Sequence, residues 1–354
     1  MQKVKVSGFQ IVSLLFLSRV FNVMTYIPVF AQKMEGTTLL LGNLLGFLGQ
    51  FILIIPAIIF YDVYKGKNVI TVAYEKFNKF GIIIAAVYLI MMVLGAIGSL
   101  VGFEYFMVNA VFGDISAQFL IITMCIATFY AAIIGIEGLA RVSTIIFVLF
   151  FISTIVIITG SLKSASLLNI TPIIDDDFSD ILKCGLLSLS KNAELVLLII
   201  LFPNVKSSFK KCSFWLMSLS YVAIEVMAFL ILAVLGKSWQ DQTFPYFTLT
   251  SIAELSIFQR LDTLHMTMWV LISFLRISAF IIAANWILKQ MLPYKKRKFS
   301  VLILIAIIPT LAIITSQNTS LMMAVNPTFG TSIILALELF IIPLILVCFK
   351  PKKQ

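Results

Sequence analysis

Ten apolar runs, each long enough to cross a lipid bilayer, dominate this sequence and leave few folds open to it. A membrane-spanning helix needs about 20 mostly apolar residues. The runs lie at 8–30, 37–60, 81–106, 116–135, 141–160, 181–202, 213–236, 263–288, 299–316 and 328–349. They lack the period-two alternation of barrel strands, and helices satisfy their own backbone hydrogen bonds in hydrocarbon. The sequence therefore predicts an all-α polytopic membrane protein of about ten transmembrane helices, forming a single domain over 1–354.

The overall composition supports the same conclusion. Hydrophobic residues make up 61% of the 354 residues and charged residues 12%, whereas soluble domains average about 45–50% and about 25%. The excess apolar surface must face lipid. The first run follows Lys3 and Lys5, but it is too long for a signal peptide and lacks a clear cleavage site, so we expect a retained helix.

The positions of the basic residues predict the orientation of the chain. Cytoplasmic loops of membrane proteins carry an excess of lysine and arginine. With the N-terminus inside, 18 of the 26 basic residues fall in inner segments and four in outer ones, the outer four being Lys33, Lys163, Lys237 and Arg260. We expect both termini in the cytoplasm. The net charge of +10 then faces anionic lipid rather than nucleic acid.

One outer segment has the pattern of a surface helix. Residues 247–259 carry an apolar stripe at helical spacing between the seventh and eighth spans. An amphipathic segment of this kind is expected to lie along the membrane surface.

Polar and charged residues interrupt the first and sixth spans. They are Ser18, Arg19, Asn22 and Thr25 in the first, with Pro28 following, and Ser188, Ser190, Lys191, Asn192 and Glu194 in the sixth. Charges in hydrocarbon cost several kcal/mol and usually face a cavity or a partner. Ten helices divided five and five make these spans equivalent, and transporters built from inverted five-helix repeats place broken helices and their binding site there. For the serines and threonine, ordinary packing is the alternative explanation.

Several further charges lie within other spans. Arg276, in the middle of the eighth, needs an acidic partner or a watery cavity, and Glu194 and Glu225 are both candidates. Glu104, near the outer end of the third span, is either an interfacial residue or part of the binding site. Glu225 and Glu338 are equally consistent with structural ion pairs, and the lone His265 favours a structural or interfacial role.

Catalytic and cofactor chemistry has no support in the sequence. It contains no Ser-His-Asp, nucleotide-binding or zinc motif, and a single histidine excludes most metal chemistry. The four cysteines show neither disulfide nor metal-ligand spacing. We expect no enzyme activity and no cofactor.

Four segments resemble the B subunits of spore nutrient-germinant receptors, the endospore germination permeases of the amino acid–polyamine–organocation transporter superfamily. They are GIEGLAR at 135–141, AELVLLIILFPNV at 193–205, the long stretch at 244–278 from Phe244 to Ser278, and the Asn-Pro pair at 326–327. The resemblance covers nearly the whole chain. The stretch at 244–278 is the most specific, with its Phe-Pro, Arg-Leu-Asp, Trp and basic-x-Ser elements.

This resemblance implies a nutrient-sensing function. Members bind a germinant, usually an amino acid or another small nutrient, between the first, third, sixth and eighth helices, and act with a larger A subunit and a lipoprotein C subunit in the spore inner membrane. Binding is thought to release ions rather than to drive net uptake. Carried over, Glu194 faces the central site, Glu137 and Arg141 form an inner latch before the fifth helix, and Arg260 and Asp262 hold the surface helix to the eighth span.

The sixth span departs from the family pattern. The family usually has Phe-Pro-Phe-Gly-Glu where this chain has Ser190, Lys191, Asn192, Ala193 and Glu194. Without the proline and glycine a break there is in question, and Lys191 either replaces a bound cation or pairs with a ligand carboxylate. The predicted ligand-binding residues are Ser18, Arg19, Asn22, Glu104, Ser188, Ser190, Lys191, Asn192, Glu194 and Arg276. The alternative function is a proton- or cation-coupled symporter of amino acids or amines.

Overall fold

The structure is a computed structural model in which residues 6–25, 36–171, 177–255, 260–318, 320–322 and 329–349 are described. These residues are mostly helical. Nine helices in this part of the chain are long and apolar enough to cross a membrane. The spans, first to ninth, are Gly8–Thr25, Gly36–Tyr64, Gly81–Phe106, Ala117–Ile134, Ile136–Ser161, the pair Phe178–Ser190 and Ala193–Leu201, Phe209–Leu235, Asp262–Met291 and Ser300–Ser316.

A tenth, shorter apolar helix follows at Ser332–Cys348. It belongs to a helical stretch that runs from Phe329–Ala336 through a π-helical turn at Leu337–Ile341 to Ile342–Cys348. The predicted all-α polytopic architecture is confirmed, and nine of the predicted crossings have full-length counterparts.

The packing of the spans follows the five-plus-five division. The first span packs on the seventh and fifth, and the sixth packs correspondingly on the second and tenth. Likewise, the third packs on the ninth and the eighth on the fourth. Each contact is thus repeated with the two halves of the chain exchanged, as an inverted repeat requires. A parallel pair of two-residue strands, Val6–Ser7 and Val205–Lys206, also joins the start of the first span to the end of the sixth.

The connecting segments differ from the sequence prediction in two places. A short helix at Val69–Phe77, capped by the Asn68 side chain, lies in a segment that was expected to be an inner loop. The fifth span begins at Ile136 instead of 141, because Gly135 takes a positive φ of 95° and separates it from the fourth. Glu137 and Arg141 therefore lie inside the fifth span rather than before it.

A short helix at Pro245–Ile252 overlaps the first part of the predicted surface helix at 247–259, and residues 256–259 lie outside the described part of the chain. The helix packs on the first, seventh and eighth spans. Of the predicted apolar stripe, Leu249 is therefore buried by protein, whereas Ile252 is exposed.

Two glycines let the second span approach the sixth closely. A Cβ at Gly42 would lie 2.5 Å from Cβ of Cys184, and one at Gly46 would lie 2.7 Å from Cβ of Ser188. Small residues at a helix interface allow this separation in membranes. The first half of the sixth span is thereby held directly against the second.

We expect Gly46→Ala to destabilise the protein by about 1–3 kcal/mol, because its Cβ would force these helices apart. Gly102→Ala is the matched control, since a Cβ there would meet Phe21 at 3.6 Å, an ordinary contact. Thermal unfolding of both purified variants measures the difference. Equal unfolding temperatures would show that the close approach is not required.

Candidate functional site

The sixth span is broken at its middle. Its first half ends at Ser190 and its second begins at Ala193, with Lys191 and Asn192 between them in non-helical conformations. The predicted break is therefore present although neither proline nor glycine stands there.

Asn192 explains how the chain stops without those residues. Its side-chain amide donates to the backbone oxygens of Ser188 (2.9 Å) and Leu189 (3.0 Å), which at the break accept the backbone N–H groups of Lys191 and Asn192 instead of their α-helical partners. The hydroxyl of Ser190 donates to the Leu187 oxygen at 2.6 Å. Asparagine and serine side chains compete with the helical hydrogen bonds of the backbone in this way. Local side-chain chemistry thus stabilises the end of the first half.

The second half of the sixth span begins with a carboxylate. Glu194 lies in its first turn, where the positive end of the helix dipole favours negative charge. The guanidinium Nη1 of Arg276 forms a buried ion pair with Glu194 Oε1, and the Ser18 hydroxyl donates to the same oxygen at 3.0 Å. Of the two acidic partners considered for Arg276, the structure thus selects Glu194.

Arg276 connects three other spans to the eighth. Besides Glu194 in the sixth, its Nη1 donates to the backbone oxygen of Ser18 in the first span, and its Nε donates to the Ser99 hydroxyl in the third at 2.8 Å. The guanidinium also lies over the rings of Phe21 and Phe280, with centroids 5.2 and 5.1 Å away. One side chain therefore ties together the four spans that surround the site.

The first span reaches the break without a break of its own. It is a continuous helix from Gly8 to Thr25, so the expected interruption does not occur in this range, and Pro28 lies outside the described residues. Arg19 Nε donates to Asn192 Oδ1 at 3.0 Å, and Asn22 Nδ2 donates to the Lys191 backbone oxygen at 3.4 Å. These two side chains fasten the first span to the non-helical residues.

These contacts define a central polar cluster with an excess of positive charge. It consists of Ser18, Arg19, Asn22, Lys191, Asn192, Glu194 and Arg276. Three of its members are basic, whereas Glu194 is its one carboxylate. Two buried atoms of the cluster have no hydrogen-bond partner among the described residues, Glu194 Oε2 and Arg19 Nη1. Buried polar groups are normally paired, so both atoms mark places where a ligand would be accommodated.

Aromatic residues cover the cluster on the side of Thr25. Trp269 is fully buried two helical turns from Arg276, and its ring stacks on Phe103 and Phe21 with centroids 5.4 and 5.8 Å away. The indole nitrogen donates to the Thr25 hydroxyl at 3.0 Å. This layer separates the charged residues from that end of the helices.

Three of the predicted ligand-binding residues contribute less directly to the central polar cluster. Ser188 supplies a backbone oxygen to Asn192, and the Ser190 hydroxyl bonds within its own helix. Glu104 is buried at the end of the third span, beyond Ser99, and the described residues show no hydrogen bond or ion pair between it and the cluster. Its membership in the site has no support from contacts.

Two other predicted pairs lie away from the cluster. Arg141 and Glu137 form an exposed ion pair of 2.5 Å one turn apart, and Arg260 pairs with Asp262 at 2.5 Å. The Leu261 backbone nitrogen donates to the Thr250 oxygen, so this segment is attached to the helix at Pro245–Ile252. The Asn-Pro pair at 326–327 lies outside the described residues.

A second polar feature lies on the opposite face of the first and sixth spans. A narrow pocket with a cavity volume of about 10 Å³ is bordered by Arg19 and Asn192 and by residues of the second and seventh spans. Four polar residues from those two spans, Asn43, Gln50, Ser220 and Tyr221, line it. The sequence analysis missed these four and Ser99. Asn43 and Gln50 stand seven residues apart in an apolar helix, a spacing that places both on one face.

No group of three or more histidine, cysteine or acidic side chains in the described ranges is arranged to hold a metal ion. None of the four cysteines forms a disulfide bond.

Comparisons with known proteins agree with this architecture. The sequence profile of the family described as spore germination protein matches residues 5–321. Among solved structures, the substrate-bound outward-open state of a Na⁺-coupled sialic acid symporter superposes with a TM-score of 0.66 at 15% identity, over 99% of this chain and 92% of the other. At that identity the likeness concerns the fold alone. No curated protein matches the sequence.

The family match spans most of the chain. The structure has the membrane-spanning helices, inverted packing and broken sixth span of a transporter-like integral membrane protein with a permease-like role. On this evidence the chain belongs to the spore germination protein family of spore permeases.

Proposed function

We propose that the chain is the transmembrane nutrient-sensing subunit of a spore germination receptor, and that it binds a small zwitterion such as an amino acid at the central polar cluster. The observation that carries this proposal is the break in the sixth span. There Glu194, whose buried carboxylate oxygen Oε2 has no partner among the described residues, stands three residues after Lys191 in the chain. An amino acid offers the complementary ammonium and carboxylate groups.

The contacts suggest how binding would change the conformation. In the described state Glu194 is paired with Arg276, which ties the first and sixth spans to the third and eighth. A ligand ammonium would compete with the guanidinium for Glu194, while Lys191 and the positive end of the second half-helix would hold the ligand carboxylate. A sensor must bind its ligand better in one conformation than in another, and exchange of this ion pair supplies such a difference.

The remaining assignments belong to the same proposal. The subunit would act with A and C subunits in the spore inner membrane, with both termini in the cytoplasm as the basic residues predict. The family match supports a role in germination, and the fold supports a small-molecule substrate.

Symport of an amino acid or amine is the second candidate, and the likeness to a Na⁺-coupled symporter favours it. The two functions differ in net movement of the ligand. Proteoliposomes that hold the purified chain and accumulate a labelled amino acid along an ion gradient would establish symport. Saturable binding without accumulation would establish sensing.

Isothermal titration of the purified full chain with a panel of amino acids tests the binding itself. We expect one or more to bind, and Lys191→Met to weaken that binding about tenfold because a charge-assisted hydrogen bond is lost. Lys183→Met is the matched control, since Lys183 lies in the first half of the same span but is exposed and paired with Asp180 at 2.7 Å. Unchanged affinity in Lys191→Met would exclude its contact with the ligand carboxylate.

A further inference from the structure

The pocket between the first, second, sixth and seventh spans has a composition unusual for a membrane interior. Most of its lining residues are polar, among them Arg19, Asn43, Gln50, Ser220 and Tyr221. Polar groups inside a membrane bundle are costly and generally serve one another or a bound species. The pocket shares Arg19 and Asn192 with the central polar cluster, but its other polar residues, such as Ser220, come mainly from the second and seventh spans and not from the third and eighth spans that Arg276 reaches.

Two buried donors at this pocket have no partner within the described residues. Arg19 is 4% exposed and its Nη1 makes no hydrogen bond, and Ser220 is 5% exposed and its hydroxyl makes none. The two come from different spans and border the same space. An unsatisfied buried polar group costs about 1–3 kcal/mol, and more when it is charged. A bound acceptor would remove both costs at once.

Arg19 also has no direct ion-pair partner. Arginine stays protonated in proteins, and none of the described carboxylates lies within ion-pair distance of it. The Glu194 carboxylate attracts the Arg19 guanidinium from a distance but is paired with Arg276, and the side-chain oxygen that Arg19 contacts is that of the neutral Asn192. Direct contact with a counter-ion makes a buried cation less unfavourable, and that counter-ion would be an anion.

The size of the pocket limits which anion it accepts. Its cavity volume of about 10 Å³ is close to the roughly 10–15 Å³ that one water-sized species requires and far below the roughly 300–1,000 Å³ of pockets for larger ligands. We infer that the pocket binds a single small inorganic anion of the size of chloride, held by the Arg19 guanidinium and the Ser220 hydroxyl. Such an anion would neutralise the contact between the first and sixth spans from the side of the second and seventh spans.

One acidic residue near the pocket makes the inference more specific. Glu225 lies one turn beyond Tyr221 on the seventh span, and Asn43 donates a side-chain hydrogen bond to its carboxyl group. A negative charge at Glu225 opposes a bound anion and favours a bound cation. Removing the charge of Arg19 should therefore weaken the binding of an anion, whereas removing that of Glu225 should not. For a bound cation, removing the charge of Glu225 should weaken binding.

Thermal unfolding of the purified full chain, started in chloride-free gluconate buffer, tests this inference. We expect a saturable rise in the unfolding temperature with sodium chloride and equally with choline chloride, and none with sodium gluconate. Ser220→Ala should weaken the apparent chloride affinity about tenfold, and Arg19→Gln should abolish the effect. Ser213→Ala is the matched control, because Ser213 is buried in the same helix, outside the pocket, and bonds to the Phe209 oxygen at 2.9 Å.

The outcomes separate this inference from the proposed function. No saturable chloride effect, or equal affinity in the Ser220→Ala and native proteins, would overturn it and leave water as the occupant, while nutrient binding stays untouched. If the rise in unfolding temperature requires sodium rather than chloride, and if Glu225→Gln weakens it, the pocket is a cation site instead. Unchanged or stronger chloride binding in Glu225→Gln would support the anion.

Discussion

Removing the charge of Arg276 is expected to destabilise this protein by about 3–5 kcal/mol, because Arg276→Met leaves the Glu194 carboxylate buried without its ionic partner. The side chains of this pair are 7% and 1% exposed, so water cannot replace either charge. Glu194→Gln should cost a similar amount by leaving the guanidinium unpaired. Unfolding of the purified variants in detergent, or their level in the membrane, measures the loss.

A double-mutant cycle isolates the pair from its surroundings. The double variant Arg276→Met with Glu194→Gln should be less destabilised than the sum of the single variants, because neither charge is then left alone. Exchanging the charges, with Arg276→Glu and Glu194→Arg together, should restore part of the membrane level that each single reversal loses. Strictly additive effects and no rescue would contradict the pairing.

The exposed pair of Arg141 and Glu137 provides the control. These side chains are 69% and 44% exposed, and surface ion pairs of this kind contribute about 0–1 kcal/mol. Arg141→Met should therefore leave the unfolding temperature almost unchanged. A large loss there would mean that exposure is a poor guide to these energies.

Replacing Asn192 by leucine is expected to abolish nutrient binding. The change removes the amide that bonds the Ser188 and Leu189 oxygens and the oxygen that receives Arg19 Nε. The two oxygens keep the backbone N–H groups of Lys191 and Asn192, but Arg19 Nε loses its acceptor at a cost of about 1–3 kcal/mol, and leucine also favours a continuous helix over a break. Titration with the amino acid that binds the native protein measures the loss.

A second asparagine separates the effect on the site from the effect on stability. Asn285 is buried toward the other end of the eighth span and accepts a hydrogen bond from the Ser300 hydroxyl at 2.6 Å. Asn285→Leu should lower the unfolding temperature while leaving nutrient affinity intact. If Asn192→Leu binds the nutrient as well as the native protein does, the break is not the binding site.

The two predictions concern two different interactions at the central polar cluster, an ion pair between distant spans and a set of local hydrogen bonds at the break. The Arg276–Glu194 pair determines whether the two groups of spans are tied together, whereas Asn192 determines whether a break exists for a ligand to enter. The first interaction joins residues 82 positions apart in the chain, and the second lies within one turn. Loss of the pair should therefore affect mainly stability, and loss of Asn192 mainly binding.

The sequence by itself determined the membrane architecture, because the length and hydropathy of a spanning helix are local properties of the chain. It also singled out the charges within the first and sixth spans as candidates for a binding site, since such residues are costly in hydrocarbon wherever they occur. The break at Lys191 was not certain from the sequence, because its stabilisation by Asn192 depends on side-chain geometry and not on a proline or glycine.

Only the tertiary structure decided which of these charges meet. The sequence left Glu194 and Glu225 as equal partners for Arg276, and it gave no reason to select Ser99, Ser220 or the pocket beside Arg19. These assignments depend on how distant helices rotate and approach one another, and the approach of the second span to the sixth depends on the missing Cβ atoms of Gly42 and Gly46. Hydropathy specifies that a helix crosses the membrane, whereas close packing against its neighbours specifies which way its polar side chains face.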